Sequence, residues 1–161
     1  MNQTRIASIA ALAALVSLVL ASSAGASIVI GKSIGGLKLG MTMTQAKQKL
    51  QATPTTKTYT HPIAGPTTDL TWQGITATFA GNTRVTNVNT TLPTERTSNG
   101  LGVGSTIAAV KSGLTGEVCE GTAGTTICHV GKLVAGARVT TFWIRNSTGR
   151  VTQVGVGLVI D

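Results

Sequence analysis

The chain has 161 residues, a formal charge of +8 and only 3% aromatic residues. Its basic residues stand singly, from Lys32 and Lys57 through Arg84 to Arg150, so it has neither the clustered cations nor the stacking rings of a nucleic-acid binder. The balance fits a solvated basic surface that would attract acidic polymers more readily than basic ones.

The first residues predict an export signal. Arg5 supplies a positive n-region, Ile6 to Leu20 is an apolar run broken only by serines, and Ala24-Gly25-Ala26 gives small residues where signal peptidase reads. The run is shorter than the ~20 residues that span a bilayer. Residues 1–26 are therefore expected to be cleaved before Ser27, with no transmembrane segment left behind. No cysteine follows the cleavage region, so a lipid anchor is not expected. The remaining 27–161 has the size of one domain with a real core. Cys119 and Cys128 are the only cysteines, and export to an oxidising compartment predicts a disulfide between them. The pair is not Cys-x-x-Cys, which argues against a redox role. His129 follows Cys128, but a zinc site needs three or four ligands and the only other histidine is His61.

Ser27 to Lys32 is a β-branched lead-in. The stretch from Gly36 to Leu50 then holds Thr42-Met43-Thr44-Gln45, with the spacing of a capping box. Met43, Ala46 and Leu50 recur at helical spacing, predicting a helix over about 43–51 that stops before Pro54. The threonine-rich segment from Thr55 to Thr71, broken by His61-Pro62 and Gly65-Pro66, allows one or two short strands at an edge. Ile75 to Phe79 alternates as a strand, Gly81-Asn82 turns, and Arg84 to Leu92 is expected to return as its partner. Pro93 to Asn99 reads as a polar linker.

Gly100 to Leu114 then echoes the stretch from Gly36 to Leu50, sixty-four positions on, with Thr106 as cap and Ile107, Val110 and Leu114 as the apolar stripe. Strands are predicted over 117–120, 125–130, 138–145 and 150–160. Arg84-Val85-Thr86 returns as Arg150-Val151-Thr152. The expected fold class is α+β: two tandem repeats, about 35–98 and 99–161, each a helix followed by an antiparallel β-meander, with the helices packed on one face of the sheet.

Leu39-Gly40-Met41-Thr42, followed by Gln45-Ala46, Leu50 and Pro54, resembles the glycine-methionine-threonine signature of the SmpA/OmlA-type envelope lipoproteins. The doubled arrangement is similar to the tandem fold of β-lactamase inhibitor proteins. That resemblance implies two helix-plus-sheet units whose concave sheet surface grips a partner protein. The lipoproteins carry a lipidated cysteine that this chain lacks. The inhibitors' binding face is rich in aromatic residues, whereas the exported part of this chain has only Tyr59, Trp72, Phe79, Phe142 and Trp143.

Chemistry-bearing motifs are sparse. The glycine run from Gly100 to Gly104 lacks the lysine and spacing of a phosphate loop and reads as a turn feeding a helix cap. No serine sits in a nucleophile elbow beside His61 or His129, and Asp69, Glu95, Glu117, Glu120 and Asp161 form no evident pair. No enzyme activity, cofactor or metal is expected. Strand alternation places Thr76, Thr78, Asn87 and Asn89, with Thr141, Trp143, Arg145 and Gln153, on the outward face of the sheet. Tryptophan and arginine are frequent interface anchors. The sequence thus points to a secreted, non-enzymatic module that binds a protein or cell-envelope component, extracellularly or in the envelope. The alternatives are a structural part of envelope assembly and a hydrolase of cell-wall polymers.

Overall fold

The computed structural model describes residues 27–51, 53–81 and 83–160. The predicted signal peptide, 1–26, lies outside them, as do Asn82 of the predicted turn and Asp161. The elements in chain order are β1 (Ile28–Val29), β2 (Ser33–Ile34), β3 (Leu37–Lys38), α1 (Met43–Leu50), β4 (Thr55–His61), β5 (Gly65–Trp72), β6 (Ile75–Ala80), β7 (Asn87–Thr90), α2 (Ile107–Gly113), β8 (Glu117–Gly121), β9 (Thr125–Val130), β10 (Arg138–Arg145) and β11 (Arg150–Leu158).

The expected α+β class is corrected by this inventory. Extended structure takes up 48% of the described residues and helix only 11%, so the protein is mostly β and not a pair of helix-plus-meander repeats. A small sheet runs β1-β2-β3, and one antiparallel sheet of eight strands runs β4-β5-β6-β7-β11-β10-β9-β8. The helices have only eight and seven residues, about two turns each, too short to form a layer of their own. Threonine supplies much of the difference. Its β-branched side chain suits a strand and carries a hydroxyl that pairs across it. Thr58 bonds Thr68 at 3.2 Å and Thr71 bonds Thr76 at 3.0 Å.

The predicted helix starts form where the sequence places them. Thr42 Oγ1 accepts from Gln45 N at 3.3 Å while Gln45 Oε1 accepts from Thr42 N at 2.9 Å, completing the capping box. Thr106 Oγ1 accepts from Ala109 N at 3.2 Å, without a reciprocal partner because alanine has none to give. Each helix start is also tied to a distant segment. Gly40 N donates to Val85 O at 2.8 Å and Arg84 Nη1 to Gly40 O at 2.9 Å. Gly104 N donates to Val151 O at 2.8 Å and Arg150 Nη1 to Gly104 O at 2.8 Å. The arginine-valine-threonine echo and the glycine-threonine echo are thus partners. Gly40 (φ 85°) and Gly104 (φ 90°) stand in the left-handed region that a side chain disfavours, which explains glycine at both.

Arg84 and Val85 are consequently diverted from the strand predicted over Arg84 to Leu92, and β7 keeps only four residues. The Pro93–Asn99 stretch is no free linker either. Arg96 O accepts from Ile28 N at 2.9 Å, Arg96 N donates to Ser27 Oγ at 2.9 Å, and Thr97 is buried.

One core joins the layers. Ile28, Ile34 and Leu37 from the small sheet, Ala46, Leu50 and Val110 from the helices, and Leu70, Ala77, Phe79, Val88, Phe142, Ile144, Val154 and Val156 from the large sheet form a single buried cluster. On β11 both Val151 and Val154 face inward, although strict alternation forbids it. A register shift at Trp143/Ile144 inserts the extra residue. The inner face of the large sheet is therefore covered, and its other face defines the candidate site.

Candidate functional site

The register of the large sheet builds the outer face row by row. The pairs His129↔Thr141, Thr141↔Gly155, Gly155↔Asn89 and Asn89↔Thr76 put these residues in one line across β9, β10, β11, β7 and β6. The adjacent row passes through Gly157, Asn87, Thr78 and Asp69. Apart from buried His129 and the two glycines, these residues are half-buried. The outer face is polar here because Thr76 and Thr78 on β6 and Asn87 and Asn89 on β7 point outward.

Thr76, Thr78, Asn87, Asn89 and Gln153, all read from alternation as outward residues, line one depression of about 460 Å³. Tyr59, Asp69 and Thr71 complete its far wall. They come from β4 and β5, the strands that the sequence left indistinct. The Asp69 carboxylate accepts from Thr78 Oγ1 at 2.7 Å and from the Tyr59 phenol. On the opposite side Asn89 Oδ1 is buried with no hydrogen-bond partner among the described residues. A buried acceptor left unpaired is costly, and a ligand donor would relieve it.

Trp143 stands at the border of this depression. A Cβ built on Gly155 would lie 2.8 and 2.9 Å from its ring atoms Cζ3 and Cη2, so the indole rests on the bare backbone of Gly155. This packing resembles the use of a neighbouring ring to cover a glycine in a strand. Thr141 lines a second depression of about 320 Å³ with Ile127, His129, Leu133 and Glu120. Arg145 joins neither depression. It ends β10 on the outward side, is exposed and pairs with Arg150 across the strand end.

The histidines are kept apart. His61 on β4 and His129 on β9 are separated by six strand spacings, on the order of 29 Å. His61 Nδ1 accepts from Ile63 N and Ala64 N, both at 3.2 Å, and so shapes the β4–β5 turn. Among the described residues no three His, Cys, Asp or Glu side chains are grouped as a metal site. The predicted Cys119–Cys128 disulfide is formed across β8 and β9. Disulfides of this kind persist outside a reducing cytosol. No helix among the described residues is long and apolar enough to cross a membrane.

Partial burial first, then the Asp69 charge and its hydrogen bond, raise the Tyr59 phenol above its ordinary 10.0. The folded state then holds this proton more tightly than the unfolded state does. The associated stability is complete below pH 10.0 and is lost as pH rises through the folded value. Because Tyr59 is the only tyrosine, tyrosinate absorbance reads it directly. Its midpoint is expected above 10.0, and Asp69→Asn is expected to lower it without erasing the part due to burial. An unchanged midpoint in that variant would separate Asp69 from Tyr59.

No family model, curated protein or solved structure matches the chain.

Proposed function

We propose that the protein is a secreted, non-enzymatic binding module that holds a protein or cell-envelope component against the outer face of its large sheet. The observation that carries this reading is the half-buried polar surface around Asn89, with its unpartnered Oδ1 and the Trp143 indole at its border. The inner face is consumed by the core, whereas the outer face presents half-buried hydrogen-bonding groups along its strands. Rigid strands position such groups with little entropy left to lose on binding. A tryptophan beside them is a residue type that commonly anchors an interface. The apolar run at residues 6–20 and the disulfide support a route out of the cytosol.

Pull-down from envelope and medium fractions tests the reading, comparing the exported chain with a Trp143→Ala/Gln153→Ala variant. Loss of an anchor residue typically costs ~2 kcal/mol or more, so partner recovery is expected to fall at least about tenfold. Equal recovery by both, or no partner for the parent chain, overturns the proposal. Arg145→Ala serves as the control, since Arg145 lies outside both depressions.

A further inference from the structure

The small sheet has two faces of different chemistry. Ile28, Ile34 and Leu37 turn into the core and are at most 1% exposed. The pairs Val29↔Ser33 and Ser33↔Lys38 place Val29, Ser33 and Lys38 in one row on the other face. Lys32 stands just before β2, its carbonyl accepting from Leu39 N at 3.1 Å. Gly31 N donates to Thr140 Oγ1 at 2.7 Å across 109 positions of sequence, which ties this turn to the start of β10. Arg138, the first residue of β10, is thereby brought beside it. The six residues Val29, Lys32, Ser33, Lys38, Leu39 and Arg138 line one depression of about 350 Å³.

Three cations thus surround a site to which no carboxylate contributes, and none of the three has an ion-pair partner among the described residues. Like charges held together repel, and a bound anion removes that cost. Ser33, only 6% exposed, is part of the lining. Two lysines, an arginine and a serine are residue types whose donors match the several acceptor oxygens of a phosphate. Val29, 38% exposed, and half-buried Leu39 add an apolar flank.

We propose that this depression binds a phosphate group, carried either by a phospholipid headgroup or by a soluble phosphate compound. The small sheet packs on the inner side of the large sheet, so the site is separate from the outer face and does not rest on the binding role proposed for it. The apolar flank offers a surface to the carbons next to a lipid phosphate that a free phosphate leaves uncovered.

The exported chain is tested against phosphatidylcholine vesicles, vesicles containing phosphatidylglycerol, and inorganic phosphate. Vesicle binding is read by sedimentation, and phosphate binding by amide shifts of Ser33, Lys38 and Arg138. Binding to phosphatidylglycerol vesicles but not to phosphatidylcholine supports a lipid source. Amide shifts with inorganic phosphate alone support a soluble one. A Lys38→Ala/Arg138→Ala variant is expected to bind about 30-fold more weakly, from two charges lost near the anion. The comparison variant Lys47→Ala/Lys111→Ala loses the same charge on exposed helix positions and is expected to bind like the parent. All four side chains are exposed, so both variants retain the core. The proposal is overturned if the parent binds neither probe, or if the two variants weaken binding equally.

Discussion

Phe142→Ala is expected to lower the stability of the folded protein by about 3–5 kcal/mol, the usual range for removing a fully buried aromatic ring. Phe142 is 0% exposed and lies on β10, paired with Cys128 on β9 and Val154 on β11. Both partners are also fully buried, so the void would open in the middle of the inner face with no solvent to fill it. A domain of ordinary stability has only about 5–15 kcal/mol to lose, which makes this loss a large fraction of the whole. Guanidinium unfolding measures it as a fall in the midpoint at constant slope. The adjacent Trp143 points to the other face, and its fluorescence follows the transition. A loss below ~1 kcal/mol would mean that the sheet closes over the vacancy and that Phe142 is not a packing centre.

Opening the disulfide is expected to have the next largest effect. The bond links residues nine apart, and closing so short a loop in the unfolded chain contributes roughly 2–3 kcal/mol. The consequence is also local, because β8 is an edge strand whose only neighbour is β9. The Cys119→Ala/Cys128→Ala chain should therefore lose amide protection first over Glu117–Gly121, while β5, β6 and β7 keep theirs. Alanine avoids placing a hydroxyl in the buried Cys128 position. Uniform loss of protection across the large sheet would show instead that β8 holds the whole sheet together.

Features set by near neighbours were legible in the sequence. The Thr42–Gln45 capping box needs only three positions to declare itself, and Ile75, Ala77 and Phe79 announce a half-buried strand by alternation alone. The same alternation found Thr76, Thr78, Asn87, Asn89 and Gln153, which line one depression. Features set by distant partners were not legible. Thr55 to Thr71, read as one or two short strands at an edge, does give two with β4 at the edge, but they run to seven and eight residues despite Pro66. That proline is the second residue of β5, and its carbonyl accepts from Gly81 N at 2.8 Å while no N–H is required of it. The α+β expectation failed there, because those threonines enlarge the sheet while the helices stop at two turns. Arg84 looked like a strand residue until its pairing with Gly40 diverted it. The rest of Trp143 on Gly155 depends on the register between β10 and β11, and the assembly of Lys32, Lys38 and Arg138 depends on the Gly31–Thr140 bond. Arg145 was assigned to the face by parity and ends β10 as the predicted strand does, yet it joins neither depression, because parity gives the face of a side chain and not what gathers beside it.

The junction of β7 with β11 has a consequence for how the chain is made. These two strands meet in the middle of the sheet, yet Thr90 pairs with Val154 from far along the sequence, with α2, β8, β9 and β10 between them. While the protein is being synthesised, β4 to β7 emerge with one side of β7 unmatched, and only β11, made after β8, β9 and β10, supplies its neighbour. Pairings so distant in sequence slow folding and prolong the time for which strand edges stay open to the wrong partner. The strand β11 therefore acts as the fastener of the sheet, and a chain without it would be left as two unjoined groups of strands.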